Sequence, residues 1–241
     1  RLCDIQAGGL HNAIPREAHA VVAVPANRLE ALASDLQEYG QRVKDEFSAT
    51  EPDATFVAEE VAVPADALTQ TQTERIVKSL LVVHNGIFAM SQDIDDLVET
   101  SSNLANIKRE GNQIVVNTSQ RSSVASNLTY MAEVIRAGFE LGGAKCVTNE
   151  GYPGWKVNPK SEIVKVSVDS YKRLFNKEPK VRAIHAGLEC GLFSEKYPNL
   201  DMVSFGPTLR GVHSPDERLL IPTVQLVWDH LLDILKNIPN K

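Results

Sequence analysis

Leu97-Val-Glu-Thr-Ser-Ser-Asn-Leu-Ala-Asn-Ile-Lys-Arg-Glu-Gly-Asn-Gln-Ile-Val-Val-Asn-Thr-Ser-Gln-Arg-Ser-Ser123 is the stretch that decides the fold. Two extended runs, Leu97 to Lys108 and Gln113 to Ser119, read as an antiparallel hairpin with Gly111-Asn112 as its turn. The chain then passes into a helical pattern from Ser123 to Leu141, which ends at Gly142-Gly143. A long hairpin running straight into a helix is the unit of a sheet covered on one face by helices.

Working outward, Leu2 to Ala7 and Ala18 to Val24 read as strands separated by a turn region rich in Gly, Asn and Pro. Pro25 opens a helix with Leu29, Leu32, Leu36, Tyr39, Val43 and Phe47 at helical spacing. Ala54 to Val63 reads as a strand between Pro52 and Pro64. Thr69 opens a second helix, which the apolar pattern carries towards Gly86 and so through His84. The order of these elements is that of an α+β layer.

Pro153, Gly154 and Pro159 cluster as turn formers and mark a boundary, dividing the chain into residues 1–150 and 151–241. Beyond it the rhythm becomes that of an α/β layer: a helix from Ser161 to Phe175, a strand from Val181 to His185, a helix from Leu188, a strand from Met202 to Phe205 and a closing helix from Pro222 to Leu235. This part has few strands for a self-sufficient α/β domain and reads as half of one. It is therefore expected to expose an apolar face where the remainder belongs. The start, Arg1-Leu-Cys-Asp-Ile5, carries no initiator Met and no signal peptide, and reads as a strand already under way. The expectation is a piece of a longer protein.

Composition narrows the function classes. A net charge of -6 across 241 residues leaves no concentrated basic face for nucleic acid. No apolar run reaches the ~20 residues that span a bilayer. Cys3, Cys146 and Cys190 are widely spaced and form no disulfide framework, which points to a reducing, cytoplasmic setting. They read as small buried residues rather than nucleophiles, and His84 and His230 as ordinary helix residues.

Four loops have the composition of a site. In Phe205-Gly-Pro-Thr-Leu-Arg-Gly-Val-His-Ser-Pro-Asp-Glu217, His213 follows a short strand in a rigid loop, where α/β folds place ligand-binding groups. Asp216 and Glu217 stand close enough to orient its ring; the plainer alternative is a solvated surface His. One His is not a metal site, because zinc takes three or four protein ligands, and the chain has no His-x-Asp or His-Glu-x-x-His pattern. In Ala183-Ile-His-Ala-Gly-Leu-Glu-Cys-Gly191 a strand meets a helix start, offering backbone N–H groups near Gly187 to a carboxylate or oxyanion. Equally, the turn is only a tight connection, with Glu189 favouring the helix dipole. Arg121, between strand and helix, has the fork that grips a carboxylate, or is a plain surface Arg at a strand end. Asn12 both donates and accepts hydrogen bonds, as recognition of a peptide requires, or merely closes an Asx-turn.

Taken together, Asn12-Ala-Ile-Pro-Arg-Glu17, Gln120-Arg-Ser-Ser123, His185-Ala-Gly-Leu-Glu-Cys-Gly191 and Ser204-Phe-Gly-Pro207 with His213-Ser-Pro-Asp-Glu217 resemble the aminoacyl-histidine dipeptidases (Xaa-His, carnosinase-like). These are members of the di-zinc exopeptidase family that includes carboxypeptidase G. Gly151-Tyr-Pro-Gly-Trp155 adds a fifth point of likeness. The resemblance implies an α/β catalytic domain with an inserted α+β lid. Residues 1–150 are then the latter part of the lid and dimerisation domain, and 151–241 the C-terminal segment of the catalytic domain. It further implies that His213 is one zinc ligand of a two-zinc site, the other ligands and the general base lying upstream of Arg1. Asn12 and Arg121 would meet the C-terminal carboxylate or backbone of a dipeptide, and Gly187 would offer a backbone contact, with Glu189 a weaker candidate. The implied partners are the N-terminal part of the same protein and a second copy in a homodimer. The competing expectations are a non-catalytic binding or dimerisation module of the same fold, and another hydrolase of the family such as a tripeptidase or acylase.

Overall fold

The computed structural model describes residues 1–92, 94–149, 151, 155, 158, 160–182, 189–212 and 216–239. Its first part is built around one long strand. β1 (Leu2–Gly8) pairs antiparallel with β2 (Ala18–Val22), and β3 (Gly86–Met90), β4 (Val98–Glu110) and β5 (Gln113–Ser122) complete a five-stranded sheet. β5 pairs with β4 from Thr100↔Ser122 to Glu110↔Gln113, as the Gly-Asn turn requires, and Gly111 takes a φ of 58° there. The other edge of β4 is shared. β1 takes Asn106 to Lys108 and β3 takes Val98 to Ser102. In the gap between them the Leu104 N–H donates to Asn85 Oδ1 at 2.8 Å. Gly8 ends β1 at a φ of +62°, and a Cβ there would run into the Ala105 carbonyl, so only glycine fits this crossing.

α1 (Leu29–Phe47) follows a single 3-10 turn at Ala26–Arg28, and α2 (Gln70–Val82) and α3 (Ala125–Leu141) lie side by side under the sheet. Thr69 caps α2 in a reciprocal capping box with Gln72. Val83, Met131 and Ile135 form the packed centre, with Phe139 against them and Ala105 and Ile107 of β4 also buried.

The structure corrects three expectations in this part. Residues 54–63 form no strand: Phe56 packs on Tyr39 and Gly40 of α1, while Val57 and Val63 stay exposed. α2 stops at Val82 because Val83 turns extended, and Gly86 at a φ of +108° lets the next residues pair with β4. His84 accordingly lies between α2 and β3, not in a helix; its Nε2 stands 3.0 Å from the Ile87 carbonyl oxygen and its ring meets Phe88 edge-on.

In the later part, α4 (Glu162–Phe175) packs against α6 (Pro222–Asn237), and α5 (Glu189–Lys196) and a short hairpin of β6 (Leu209–Arg210) with β7 (Arg218–Leu219) complete the described elements. Ser161 caps α4 by accepting the Val164 N–H, and Asn176 closes it in the left-handed conformation. His230 is buried between the helices. Its Nε2 stands 2.9 Å from the Ser167 carbonyl oxygen, and Tyr171, Phe175 and Phe205 contact its ring. Neither expected strand appears among the described residues: Met202 to Phe205 runs unpaired, as do Val181 and Arg182, and 183–185 lie outside the described set. Phe205 is tied down by His230, and Asp201 by the first turn of α4, so side chains rather than a ladder hold this segment. Phe193 of α5 and Val224, Leu226, Trp228 and Leu235 of α6 are exposed. Val224, Trp228 and Leu235 fall on one side of α6 by helical spacing and form an exposed apolar stripe there.

Candidate functional site

β4 and β5 divide the site candidates by face. Side chains alternate along a strand, and residues directly opposite in an antiparallel pair share a face. Thr100 and Ser102 of β4 and Ser122 of β5 point towards α3 and are buried. Ser101 pairs with Arg121, Asn103 with Ser119, and Asn106 with Asn117, so these six point the other way. The register shift between Leu104 and Asn106 keeps Asn106 on that face despite the extra residue.

On this open face lies the turn that carries Asn12. Asn103 Nδ2 donates to the Ala13 carbonyl at 2.8 Å, and Asn106 Nδ2 to the Gly9 carbonyl at 2.7 Å. Asn117 Nδ2 in turn donates to Asn106 Oδ1 at 2.7 Å. Within the turn the Ala13 N–H returns to the Leu10 carbonyl. Arg121 and the turn that carries Asn12, both residues half-buried, therefore lie on one face although they are far apart in the chain. Arg121 sits within β5, which runs to Ser122, rather than past the strand end at Ser119. A guanidinium and an amide over a ladder of asparagines have the donors that an anionic group with a peptide backbone would take.

The opposite side of the same strand ends is held by hydroxyls. Ser122 and Thr100 share a hydrogen bond at 2.8 Å, Thr100 Oγ1 reaches Glu99 Oε1 at 3.2 Å, and Asn127 of α3 donates to the same carboxylate oxygen at 2.6 Å. The Val124 N–H, where α3 begins, donates to Ser122 Oγ at 3.0 Å. At the far end of β4, Arg109 donates to the Cys3 carbonyl and pairs with Asp66. The hydrogen bond and the charge of Arg109 pull the Asp66 carboxyl below its ordinary range.

His213 and Gly187 lie outside the described residues, as does the side chain of Glu189, whose backbone opens α5. β6 and β7 bracket the segment that carries His213. Among the described residues no three His, Cys, Asp or Glu side chains converge as a metal site. They do not make a zinc centre by themselves, since such a centre needs at least three protein ligands. Cys3 is buried, and burial together with the charge of Glu140 pushes the Cys146 thiol up, away from the reactive thiolate. A cavity of about 1270 Å³ opens between α4, α6 and the unpaired segment, with Trp155, Ser167, Tyr171, Phe205 and His230 in its wall. Sequence reasoning had no signal for it, because it lies where strands were expected. Among the described residues no helix is long and apolar enough to cross a membrane.

No protein-family model matches the chain. It is 37% identical over 241 residues to a cytosol non-specific dipeptidase of Escherichia coli strain K12, covering 100% of this chain and 50% of that protein. The crystal structure of an aminoacylhistidine dipeptidase from Vibrio alginolyticus superposes with a TM-score of 0.85 at 41% identity, covering 100% of this chain and 49% of the other. The aminopeptidase PepT of Bacillus cereus shares the fold at a TM-score of 0.50 and 16% identity, over 68% of this chain and 44% of that one. The chain thus spans about half the length of the relatives it matches. Over all of its own length it is similar, in sequence and in fold, to one half of an aminoacyl-histidine dipeptidase, the family whose motifs its loops resemble.

Proposed function

We propose that this chain is part of a zinc-dependent dipeptidase that hydrolyses dipeptides of the Xaa-His type. The observation that carries the reading is the shared face of Arg121 and the Asn12 turn, in a chain that matches half of such an enzyme from end to end. Arg121 grips the C-terminal carboxylate of the dipeptide through its two parallel N–H groups. Asn12 donates to, and accepts from, the dipeptide backbone. Gly187 offers its backbone N–H to the substrate from the other part of the molecule. His213 supplies one imidazole to a two-zinc site, with the remaining ligands and the general base in the rest of the protein. Zinc, when bound, supplies a water acidic enough to be deprotonated near neutral pH.

In this reading residues 1–150 are the latter part of a lid that also forms a homodimer, and residues 151–241 close the catalytic domain. Lid closure brings Arg121 and Asn12 over the substrate and excludes water. The apolar face around α4 and α6 is covered by the rest of the same protein, and the enzyme works in the cytoplasm. The test is histidine release from Xaa-His dipeptides by the full-length protein, before and after chelation and after zinc is restored. Activity lost on chelation and regained with zinc supports the reading. Zinc-replete protein that leaves every dipeptide intact overturns it in favour of a non-catalytic module.

A further inference from the structure

We infer that Thr100, with Ser122, Glu99 and Asn127, forms a positioning device for Arg121, so that substrate affinity is set from beneath the sheet; this rests on Arg121 gripping the substrate carboxylate. The direction of the bonds follows from donor count. Thr100 donates its one proton to Glu99 Oε1, so in the bond it shares with Ser122 the donor must be Ser122. Asn127 donates to the same Glu99 oxygen from α3, and Ser122 Oγ accepts the Val124 N–H. The Ser123 N–H returns to the Glu99 carbonyl at 3.1 Å. Both hydroxyl protons of this network have a partner.

The placement gives the device its purpose. Thr100 is fully buried and Ser122 nearly so, a costly location for hydroxyls unless each is bonded. The pair lies directly behind Arg121: Ser122 is its neighbour in β5, and Thr100 precedes Ser101, its cross-strand partner. Fixing Ser122 against β4 and against the start of α3 fixes the backbone on the C-terminal side of Arg121. The Cα–Cβ direction of Arg121 then points to the open face without a contact on that face being needed. The ladder and the Gly-Asn turn set the register of the hairpin. A valine–alanine pair would pack the same space but would lose the bonds that tie this strand end to Glu99 and to the start of α3.

The experiment is a double-mutant cycle in the full-length enzyme with an Xaa-His dipeptide. Thr100→Val, which keeps the shape and removes the hydroxyl, raises KM roughly 5- to 10-fold with kcat within about twofold. Thr100→Ser restores KM. Arg121→Ala raises KM further, and adding Thr100→Val to Arg121→Ala raises it no more, because the device has nothing left to hold. Should Thr100→Val fail to fold, Asn127→Ala cuts the same chain from α3 and is placed in the same cycle. Additive effects, or a fall in kcat with KM unchanged, overturn the positioning role and leave Arg121 as the substrate contact. An unchanged KM in Arg121→Ala alone overturns the carboxylate contact itself, and this inference with it.

Discussion

Asn103 Nδ2 donates to the Ala13 carbonyl across 90 positions of sequence, and this bond holds the Asn12 turn over the face to which Arg121 points. Asn103→Ala removes the donor and leaves the turn attached chiefly through Asn106 to Gly9. Loss of one such bond costs about 0.5–1.5 kcal/mol. In the full-length enzyme KM for the dipeptide should rise roughly 2- to 12-fold, with kcat unchanged. Steady-state kinetics decide it: an unaltered KM means that the turn does not meet the substrate.

Arg121→Lys separates charge from geometry. A lysine keeps the positive charge but not the planar fork that takes both carboxylate oxygens at once. Most of the affinity lost in Arg121→Ala, about 2–3 kcal/mol, should remain lost in Arg121→Lys. The same comparison on a dipeptide with an amidated C-terminus should show little difference between wild type and variants. If Arg121→Lys matches wild type on the free acid, Arg121 acts as a point charge and not as a clamp.

The hairpin that presents Arg121 was legible because alternation, a Gly-Asn turn and a following helix all agree over residues 97–141. β3 was not, since Gly86-Ile-Phe-Ala-Met90 continues the apolar run of α2, and the extended Val83 and the positive φ of Gly86 that separate them leave no mark in the pattern. The segment 54–63 misled for the opposite reason: its pattern suits a strand, but Phe56 packs on Tyr39 and Gly40 of α1 and no strand pairs with the segment among the described residues. The residue types of the candidate site were readable one by one. Their common face was not, because it depends on a register between strands that no local pattern encodes.

Gly8→Ala tests the sheet on which the site stands. Gly8 holds a φ of +62°, and its α-carbon lies against the Ala105 carbonyl of β4. The left-handed conformation costs an alanine about 1–2 kcal/mol, and the overlap with backbone adds about 1–3 kcal/mol. The full-length protein should unfold at a clearly lower urea concentration, and the Asn12 turn, which starts one residue later, should lose protection from hydrogen exchange first. Wild-type stability in Gly8→Ala would mean that β1 does not cross β4 this closely.

The last prediction concerns acid. Burial pushes the Asp201 carboxyl up, but hydrogen bonds from the Ser161 hydroxyl and from the N–H groups of Ile163, Glu162 and Met202 outweigh it and hold it below the ordinary value of 3.8. The Ile163 bond is 3.0 Å long and ties the unpaired 199–205 segment to the first turn of α4. A carboxyl depressed in the folded state stabilises the fold above its unfolded value, and that stabilisation is lost as pH falls through the lower folded value. The contribution of Asp201 is therefore complete at neutral pH and disappears only below about pH 4. Asp201→Asn, whose amide oxygen still accepts but carries no charge, should be less stable than wild type at about pH 7, and the gap should close towards about pH 3. Urea midpoints of the two proteins across that range measure the gap. A difference that stays constant with pH would show that Asp201 acts on α4 through its shape alone, and that the segment bearing Phe205 is held by packing on His230 rather than by the carboxylate.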